Sequence, residues 1–481
     1  MKKNSTEVLN RFLETEYNHS MFEKECNGVR IWQYIRTYTY QIVLQKILDY
    51  QTTQTTILRA IPHGEYLKSF SGWYEYRIRR NILFAHKRDV LIFSSPFRTE
   101  DGEYYYKDIH TAEIDARLNR THYVLDRRVS PTSIVLNRSR NMLTYDTPSF
   151  DKLFRIKKEK RANKHELEKY FLLPLETEFN IQFSLREKKT ILDYANSRVF
   201  YDRSLTEYCR YLIERIKPKV ILFVCLSDLI NQIVCCVAKE YGIPTIEYQH
   251  GNIFESIPYC FFHNDIITLD GFPDYFFSYG EYERDTSRMP IPRERVIPVG
   301  SPEIDKMIVK ESPDDLVNSK KIILFISSFT TETAIMAKGL YEVLDQNKYE
   351  IWFKLHPKEI MTWEAKVGLI LKNTSIRVID ELDSIHNYLG KVDWVVGTAS
   401  TALFEATCYD KIKIAYINNY CAENHPLIEK GRAVPVYNVD DLREEIETDS
   451  FTHSKYQFYA TNSIEKINQT IERIITGHDA C

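Results

Sequence analysis

The chain has 481 residues and a mass of 57.0 kDa, too long for one ordinary core and sized for two or three domains of roughly 150 residues each. Its 64 Lys+Arg against 67 Asp+Glu leave a net charge of −3 and a pI near 6.5, which excludes coating nucleic acid or an anionic membrane by bulk charge. Hydrophobic residues at 43% and charged residues at 27%, with 15 Gly beside 33 Tyr, exclude wholesale disorder and fibrous or low-complexity chains.

The first eighty residues are helical and aromatic in pattern. Val29, Trp32, Ile35 and Tyr38–Tyr40 keep a helical stripe, and Trp73, Tyr76, Ile78 and Leu83 sit among Arg77, Arg79 and Arg80. Two readings fit: an added helical layer packed on the domain, or an interfacial face that touches lipid headgroups or a lipid-linked substrate at the inner side of the membrane. The N-terminus carries no apolar h-region. The nine cysteines include no Cys-x-x-Cys pair and read as buried thiols in a reducing compartment, so the expected location is cytoplasmic. Residues 220–238 imitate a membrane span, but Asp228 near the middle would be costly in lipid. The run divides better into a buried strand and a helix.

An α/β pattern begins at Asp89. A strand over Val90–Ser94 runs into the polar loop Arg98-Thr99-Glu100-Asp101-Gly102, and Tyr123–Leu125 is a second strand. The charged stretch Asp151–Lys169 reads as surface or a mobile excursion. There follow a long helix over Leu185–Ile216, then strands over Val220–Leu226, Pro244–Tyr248, Tyr275–Ser278 and Val296–Val299, the first two separated by a helix over Asp228–Tyr241. After the breakers Gly300-Ser301-Pro302 and Ser312-Pro313 a new series opens. Its strands are Lys321–Ile326, Ile351–Leu355, Ile376–Ile379, Asp393–Val396 and Ile412–Ile417. Its helices are Glu332–Leu344, Ile360–Leu371 and Ala402–Cys408, and an amphipathic helix over Ser463–Ile475 ends the chain. Strands separated by helices of a dozen residues imply parallel sheets. The expected division is a helical extension over 1–85, a Rossmann-like domain over 86–305, a second over 306–460 and a terminal helix over 461–481.

Ligands in such sheets bind beyond the carboxyl ends of the strands, and four strand ends here carry chemistry. Gln249-His250-Gly251 places an imidazole, able to move a proton near neutral pH, beside a glycine that lets a ligand approach the backbone. Lys354-Leu355-His356-Pro357 puts a cation and an imidazole on one side of a strand end that Pro357 terminates, which suits a phosphate. Thr398-Ala399-Ser400-Thr401 supplies hydroxyls before a helix bearing Glu405, a carboxylate placed for ribose hydroxyls, and Ser327-Ser328 repeats that chemistry. No Gly-Lys-Ser/Thr loop and no Asp-x-Asp occurs. No carboxylate cluster at metal-ligand spacing is visible, so neither a metal nor a cofactor is expected.

In order and spacing, Gln249-His250-Gly251, Gly280-Glu281, Val299-Gly300-Ser301-Pro302-Glu303-Ile304-Asp305, His356-Pro357 and Ser400-Thr401-Ala402-Leu403-Phe404-Glu405-Ala406 resemble the bacterial GT-B glycosyltransferases of surface-polysaccharide (capsule-type) synthesis. More distantly they resemble the CDP-glycerol glycerophosphotransferases. The resemblance spans roughly residues 215–420 and implies two Rossmann-like domains facing a cleft. It further implies a nucleotide-sugar donor held by Lys354, His356, Pro357, Ser327, Ser328, Thr398, Ser400, Thr401 and Glu405. A glycan or lipid-linked acceptor would meet Arg98, Asp101, Gln249 and Gly251, with His250 or Asp228 as base. Gln249 stands where the glycerophosphotransferases have an aromatic residue, which argues against a glycerol-phosphate donor. Two rivals remain at this point: a nucleotide-sugar epimerase of the same build, and a binding protein that keeps the fold without catalysis.

Overall fold

The computed structural model describes residues 5–48, 61–62, 80–95, 98–100, 106–126, 133–134, 139–144, 161–253, 258–309, 320–328, 331–356, 359–360, 362–381, 384–398, 400–417 and 425–477. The chain separates into two compact units, Met1–Pro302 together with Thr461–Cys481, and Glu303–Ala460. Each is Rossmann-like, and helices precede the first.

In the first unit, helices α1 (Ser5–Asn18) and α2 (Trp32–Leu48) precede seven parallel strands. These are β1 (Val90–Phe93), β2 (His122–Asp126), β3 (Met142–Thr144), β4 (Val220–Val224), β5 (Thr245–Tyr248), β6 (Tyr275–Ser278) and β7 (Val296–Pro298), in the order β7-β6-β5-β4-β1-β2-β3. Strands β1, β2, β4 and β5 are buried along their whole length, as apolar strands covered on both faces must be. Helix α3 (Leu185–Ile216) opens on a capping box, in which Ser184 Oγ accepts from the Glu187 N–H and Glu187 returns a bond to the Ser184 N–H at 2.7 Å. Its C-terminal half lays Leu205, Cys209, Leu212 and Ile216 in the same core as Leu91, Phe93, Ile221 and Phe223 of the sheet, with Ile233 and Val234 of α4 (Leu229–Glu240).

Its N-terminal half belongs to a second core. Val8, Phe12, Trp32, Ile35 and Tyr40 of α1 and α2 pack with Leu167, Phe171 and Ile191, and Trp32 stacks on Phe171 with centroids 5.3 Å apart. The stripe through Trp32 and Ile35 is therefore a helical layer. The charged stretch before it contributes to this core through Leu167 rather than lying wholly at the surface, while residues 151–160 and the aromatic segment 73–78 fall outside the described residues. Within the layer, Glu16 and Arg36 are fully buried and paired, Arg36 Nε and Nη2 each donating at 2.7 Å to a different oxygen of Glu16. Arg36 also donates to the carbonyls of Pro258 (2.7 Å) and Phe261 (3.0 Å), so α2 grips the segment that follows β5.

The second unit has six parallel strands: β8 (Lys321–Ile326), β9 (Tyr349–Lys354), β10 (Arg377–Ile379), β11 (Trp394–Gly397), β12 (Lys413–Ile417) and β13 (Ala433–Val436), in the order β10-β9-β8-β11-β12-β13. Helices α5 (Glu332–Val343), α6 (Thr401–Ala406) and α7 (Val439–Thr448) accompany them. The helix expected over 360–371 is instead a short turn at Trp363–Ala365 and a helix at Val367–Leu371, because Lys366 leaves helical geometry at φ −119°, ψ −77°. The last helix, α8 (Ser463–Thr476), returns to the first unit. There Glu472 accepts from Arg120 Nε at 2.7 Å and Asn468 Oδ1 from the Asn119 N–H at 2.8 Å. Among the described residues no helix is long and apolar enough to cross a membrane.

Candidate active site

Numbered by their place in the chain, the strands of the second sheet run 3-2-1-4-5-6, the doubly wound order. The sheet therefore reverses between β8 and β11, and the crevice at that switch point is where such sheets take ligands. Ser327 and Ser328 leave β8, and Thr398 leaves β11, on either side of the switch point. Ser328 Oγ and Thr398 Oγ1 are hydrogen-bonded across it. Ser327 is 1% exposed, yet its hydroxyl has no hydrogen-bond partner among the described residues. A buried hydroxyl without a partner is costly. Ser400 caps α6 by accepting from the Ala402 N–H at 3.3 Å, which leaves its own O–H to donate. Thr401 beside it is exposed.

One strand along, β9 ends at Lys354. Its ammonium is drawn to the carbonyl of Glu381 at 2.7 Å and is buried. His356 follows in a tight turn in which Glu359 accepts from the His356 N–H at 3.2 Å and donates its own N–H to the His356 carbonyl at 2.8 Å. His356 thus follows the strand that neighbours β8 at the switch point. Pro357 lies outside the described residues. Glu405 is on α6, and its Oε2 lies 3.0 Å from His386 Nε2.

The first sheet reverses between β1 and β4. The turn out of β4 is strained: Cys225 is held at φ +69°, a conformation that costs a residue with a Cβ on the order of 1 kcal/mol or more. Asn231 fixes it, donating from Nδ2 to the carbonyls of Val224 and Cys225, both at 2.9 Å. Asp228 then starts α4 in extended geometry. From β1, Ser95 gives both its N–H (2.5 Å) and its hydroxyl (2.7 Å) to Asp108. That buried carboxylate also accepts from the N–H of His110 (2.8 Å) and the hydroxyl of Thr111 (2.9 Å). Asp108 thus carries His110 to the edge.

His250 leaves the adjacent strand β5. Its ring lies edge-on to Tyr259, centroids 5.5 Å apart, and to His110 at 6.4 Å. Burial, with a smaller contribution from His110, pushes its pKa down to about 4, so the imidazole is neutral at pH 7. Gly251 has no neighbour within 4 Å of where a Cβ would stand, so packing does not demand glycine and the room it leaves is open. Gln249 is a strut: its amide nitrogen donates to Glu283 and to the Gly251 carbonyl, both at 2.9 Å, and its oxygen accepts from the Tyr279 N–H at 2.6 Å. Arg98 lies in a short strand, Arg98–Glu100, whose backbone pairs with Tyr106–Asp108. Its side chain and all of Asp101 lie outside the described residues.

Sequence reasoning passed over the groups behind His250. Glu247, in the middle of β5, is completely buried; it accepts from the Leu226 N–H at 3.0 Å and from the Tyr259 hydroxyl. A carboxyl inside an otherwise apolar strand is itself a legible signal. Asp108 and His110 were not singled out from the sequence at all.

Burial raises Glu247 to about 8 from an ordinary 4.5. Between those values the folded protein holds a proton that the unfolded chain has lost, so this group makes stability fall as pH rises. Glu247→Gln keeps an acceptor and removes the titration. Its stability is expected to climb relative to the wild type from pH 5 to pH 8, at up to about 1.4 kcal/mol per pH unit. Thermal unfolding followed across that range checks this, and parallel curves would contradict it.

Among the described residues no group of three His, Cys, Asp or Glu is placed to hold a metal ion. No family model matches the chain, and no curated protein matches it. Several solved structures are similar. They include the UDP-GlcNAc 2-epimerase of Neisseria meningitidis bound to UDP-GlcNAc, at 11% identity over 80% of this chain and 99% of that one, with a TM-score of 0.48. The wall teichoic acid polymerase TagF shares 12% identity over 87% and 97%, with a TM-score of 0.42. MurG of Acinetobacter baumannii shares 12% identity over 80% and 99%, with a TM-score of 0.44.

Proposed function

We propose that this protein is an enzyme acting on a nucleotide-sugar, and that it transfers the sugar to a hydroxyl of a surface glycan or lipid-linked acceptor. The observation that carries the reading is the 3-2-1-4-5-6 sheet with the hydroxyls of Ser328 and Thr398 joined across its switch point. In this reading Ser327, Ser328, Thr398 and Ser400 donate to the phosphates, His356 and Lys354 offset their charge, and Glu405 meets the ribose. At the first sheet's edge neutral His250 takes the proton of the acceptor hydroxyl as its oxygen bonds to the sugar's anomeric carbon. The bond from that carbon to the nucleotide oxygen breaks, and the nucleotide leaves with the electron pair. Hydroxyl and cationic donors supply the charge stabilisation, so turnover is expected to persist in EDTA.

A second reading, isomerisation of the sugar on its nucleotide, is favoured by the same edge. His250 and Asp228 follow adjacent strands, and an imidazole and a carboxyl so placed can move a proton without an acceptor.

The test of the shared claim is thermal-shift measurement with CDP, UDP, GDP and their sugars. The nucleotide that binds is expected to stabilise the protein by about 2.7 kcal/mol at a hundred times its Kd, and His356→Ala should weaken its affinity roughly 10-fold or more. No shift with any of them removes the nucleotide from the proposal.

A further inference from the structure

The chemistry proposed above makes no use of Glu247, yet β5 gives up apolar packing to hold it. It is fully buried in the middle of that strand, where a carboxyl costs far more than a branched aliphatic side chain would. Only one of its oxygens is engaged. Oε1 accepts from the Leu226 N–H at 3.0 Å and from the Tyr259 hydroxyl, while Oε2 has no hydrogen-bond partner among the described residues. The Leu226 N–H also donates to the Tyr259 oxygen, so carboxyl, amide and phenol close a triangle. Each corner is fixed by a different element. Glu247 belongs to β5, Leu226 to the strained Cys225 turn that Asn231 holds, and Tyr259 to a short turn, Pro258–Cys260. That turn is clasped from two sides: Arg36 donates to the carbonyl of Pro258 at 2.7 Å, and the Arg288 N–H to that of Cys260 at 3.0 Å.

What the triangle presents is the Tyr259 ring. It meets His250 edge-on at 83°, centroids 5.5 Å apart, and His110 stands edge-on to the same imidazole at 86° and 6.4 Å. His250 thus has two rings against it, one tied down by Glu247 and the other carried by Asp108. We propose that Tyr259 is a positioning residue for His250, and that Glu247 together with the Leu226 N–H is the anchor that holds its ring against the imidazole. The inference rests on the reading of His250 as the base. A base must stand within hydrogen-bond reach of the proton it takes, and a displacement of about 1 Å costs on the order of 10²-fold in rate. An anchored phenol limits that displacement, where an unanchored ring would be held by packing alone.

The experiment follows the imidazole itself. Long-range ¹H–¹⁵N spectra of the full chain, labelled with ¹⁵N-histidine and with His250 assigned from its loss in His250→Ala, are recorded from about pH 5 to about pH 7.5. Wild-type His250 is expected to stay neutral throughout, since burial holds its pKa at about 4. In Tyr259→Leu the pocket opens and the ring should titrate inside that range. Turnover is read with the nucleotide-sugar that stabilises the wild type. Tyr259→Leu should lose about 10- to 100-fold in kcat and Tyr259→Phe about 3- to 10-fold, with KM within about twofold in both. Glu247→Leu should resemble Tyr259→Phe, and Glu247→Gln, which keeps an acceptor for both donors, should recover most of that loss. A His250 that stays neutral and a kcat within about twofold of wild type in Tyr259→Leu overturn the proposal. So do equal losses in Glu247→Gln and Glu247→Leu. Should Tyr259→Leu fail to fold by circular dichroism, Tyr259→Phe and the Glu247 variants decide the question. A normal kcat in His250→Ala removes the base reading and this inference with it. A large loss there beside an unaltered Tyr259→Leu keeps the base and removes only its proposed support.

Discussion

His250→Ala is expected to lower kcat by about 10²–10⁴-fold, the scale of a positioned acid–base group, while nucleotide affinity stays within about twofold of wild type. The ring is set by its surroundings: it stands two residues beyond a buried strand, edge-on to Tyr259 and His110. Burial keeps it neutral down to about pH 4, so its contribution to rate should be flat above pH 5 and fall as pH drops through its pKa. The same depressed pKa makes the unfolded chain take up the proton first, so this group also lowers stability as pH falls from about 6.5 towards 4. Turnover and calorimetry on His250→Ala and Asp228→Asn together locate the base. Near-normal kcat in the first with severe loss in the second would transfer the role to Asp228. Normal kcat in both would place the chemistry elsewhere.

Arg36→Ala is expected to destabilise the first unit by about 3–5 kcal/mol, because it leaves Glu16 as a buried charge without its partner. The guanidinium does more than pair. It donates to Glu16, Pro258 and Phe261 and lies over the Phe262 ring, 4.4 Å from its centroid. Pro258 and Phe261 bracket Tyr259, whose hydroxyl meets Glu247 and whose ring faces His250. The helical layer is thus continuous with the supports of the proposed base, and activity should fall with stability. The double variant Glu16→Leu/Arg36→Met, which removes both charges at similar volume, should recover most of the stability. Urea unfolding of the three proteins checks this. A loss below about 1 kcal/mol in Arg36→Ala would mean that solvent reaches Glu16 after all.

The strands that position both edges were legible because a parallel strand covered on two faces is a short, nearly unbroken apolar run: Val220–Val224 and Lys321–Ile326 announce themselves. Of the strands at the rim, two did not. Met142–Thr144 is three residues long, and Ala433–Val436 contains Pro435, which argues against a central strand and is tolerated here because β13 is an edge. The strand-end motifs were likewise visible, since Gln249-His250-Gly251 and Thr398–Ser400 each follow a buried run directly. Their surroundings were not. Asp108 joins Ser95 across 13 residues and His386 joins Tyr409 across 23, and no local period marks such pairs. Gln249 shows the limit in reverse: it looked like a ligand contact, but its amide is engaged within the protein.

The most direct test of the central claim is to follow the purified protein with UDP-, GDP- and CDP-sugars in EDTA by ³¹P and ¹H NMR, with and without an acceptor glycan or lipid-linked glycan. The account predicts that one ribonucleotide sugar is consumed, that free nucleotide appears only with acceptor, and that Ser328→Ala/Thr398→Val slows this severely. Isomerised nucleotide-sugar without release would assign the epimerase reading instead. Unchanged spectra for every donor, together with no binding, would contradict the claim that the switch point of the second sheet takes a nucleotide.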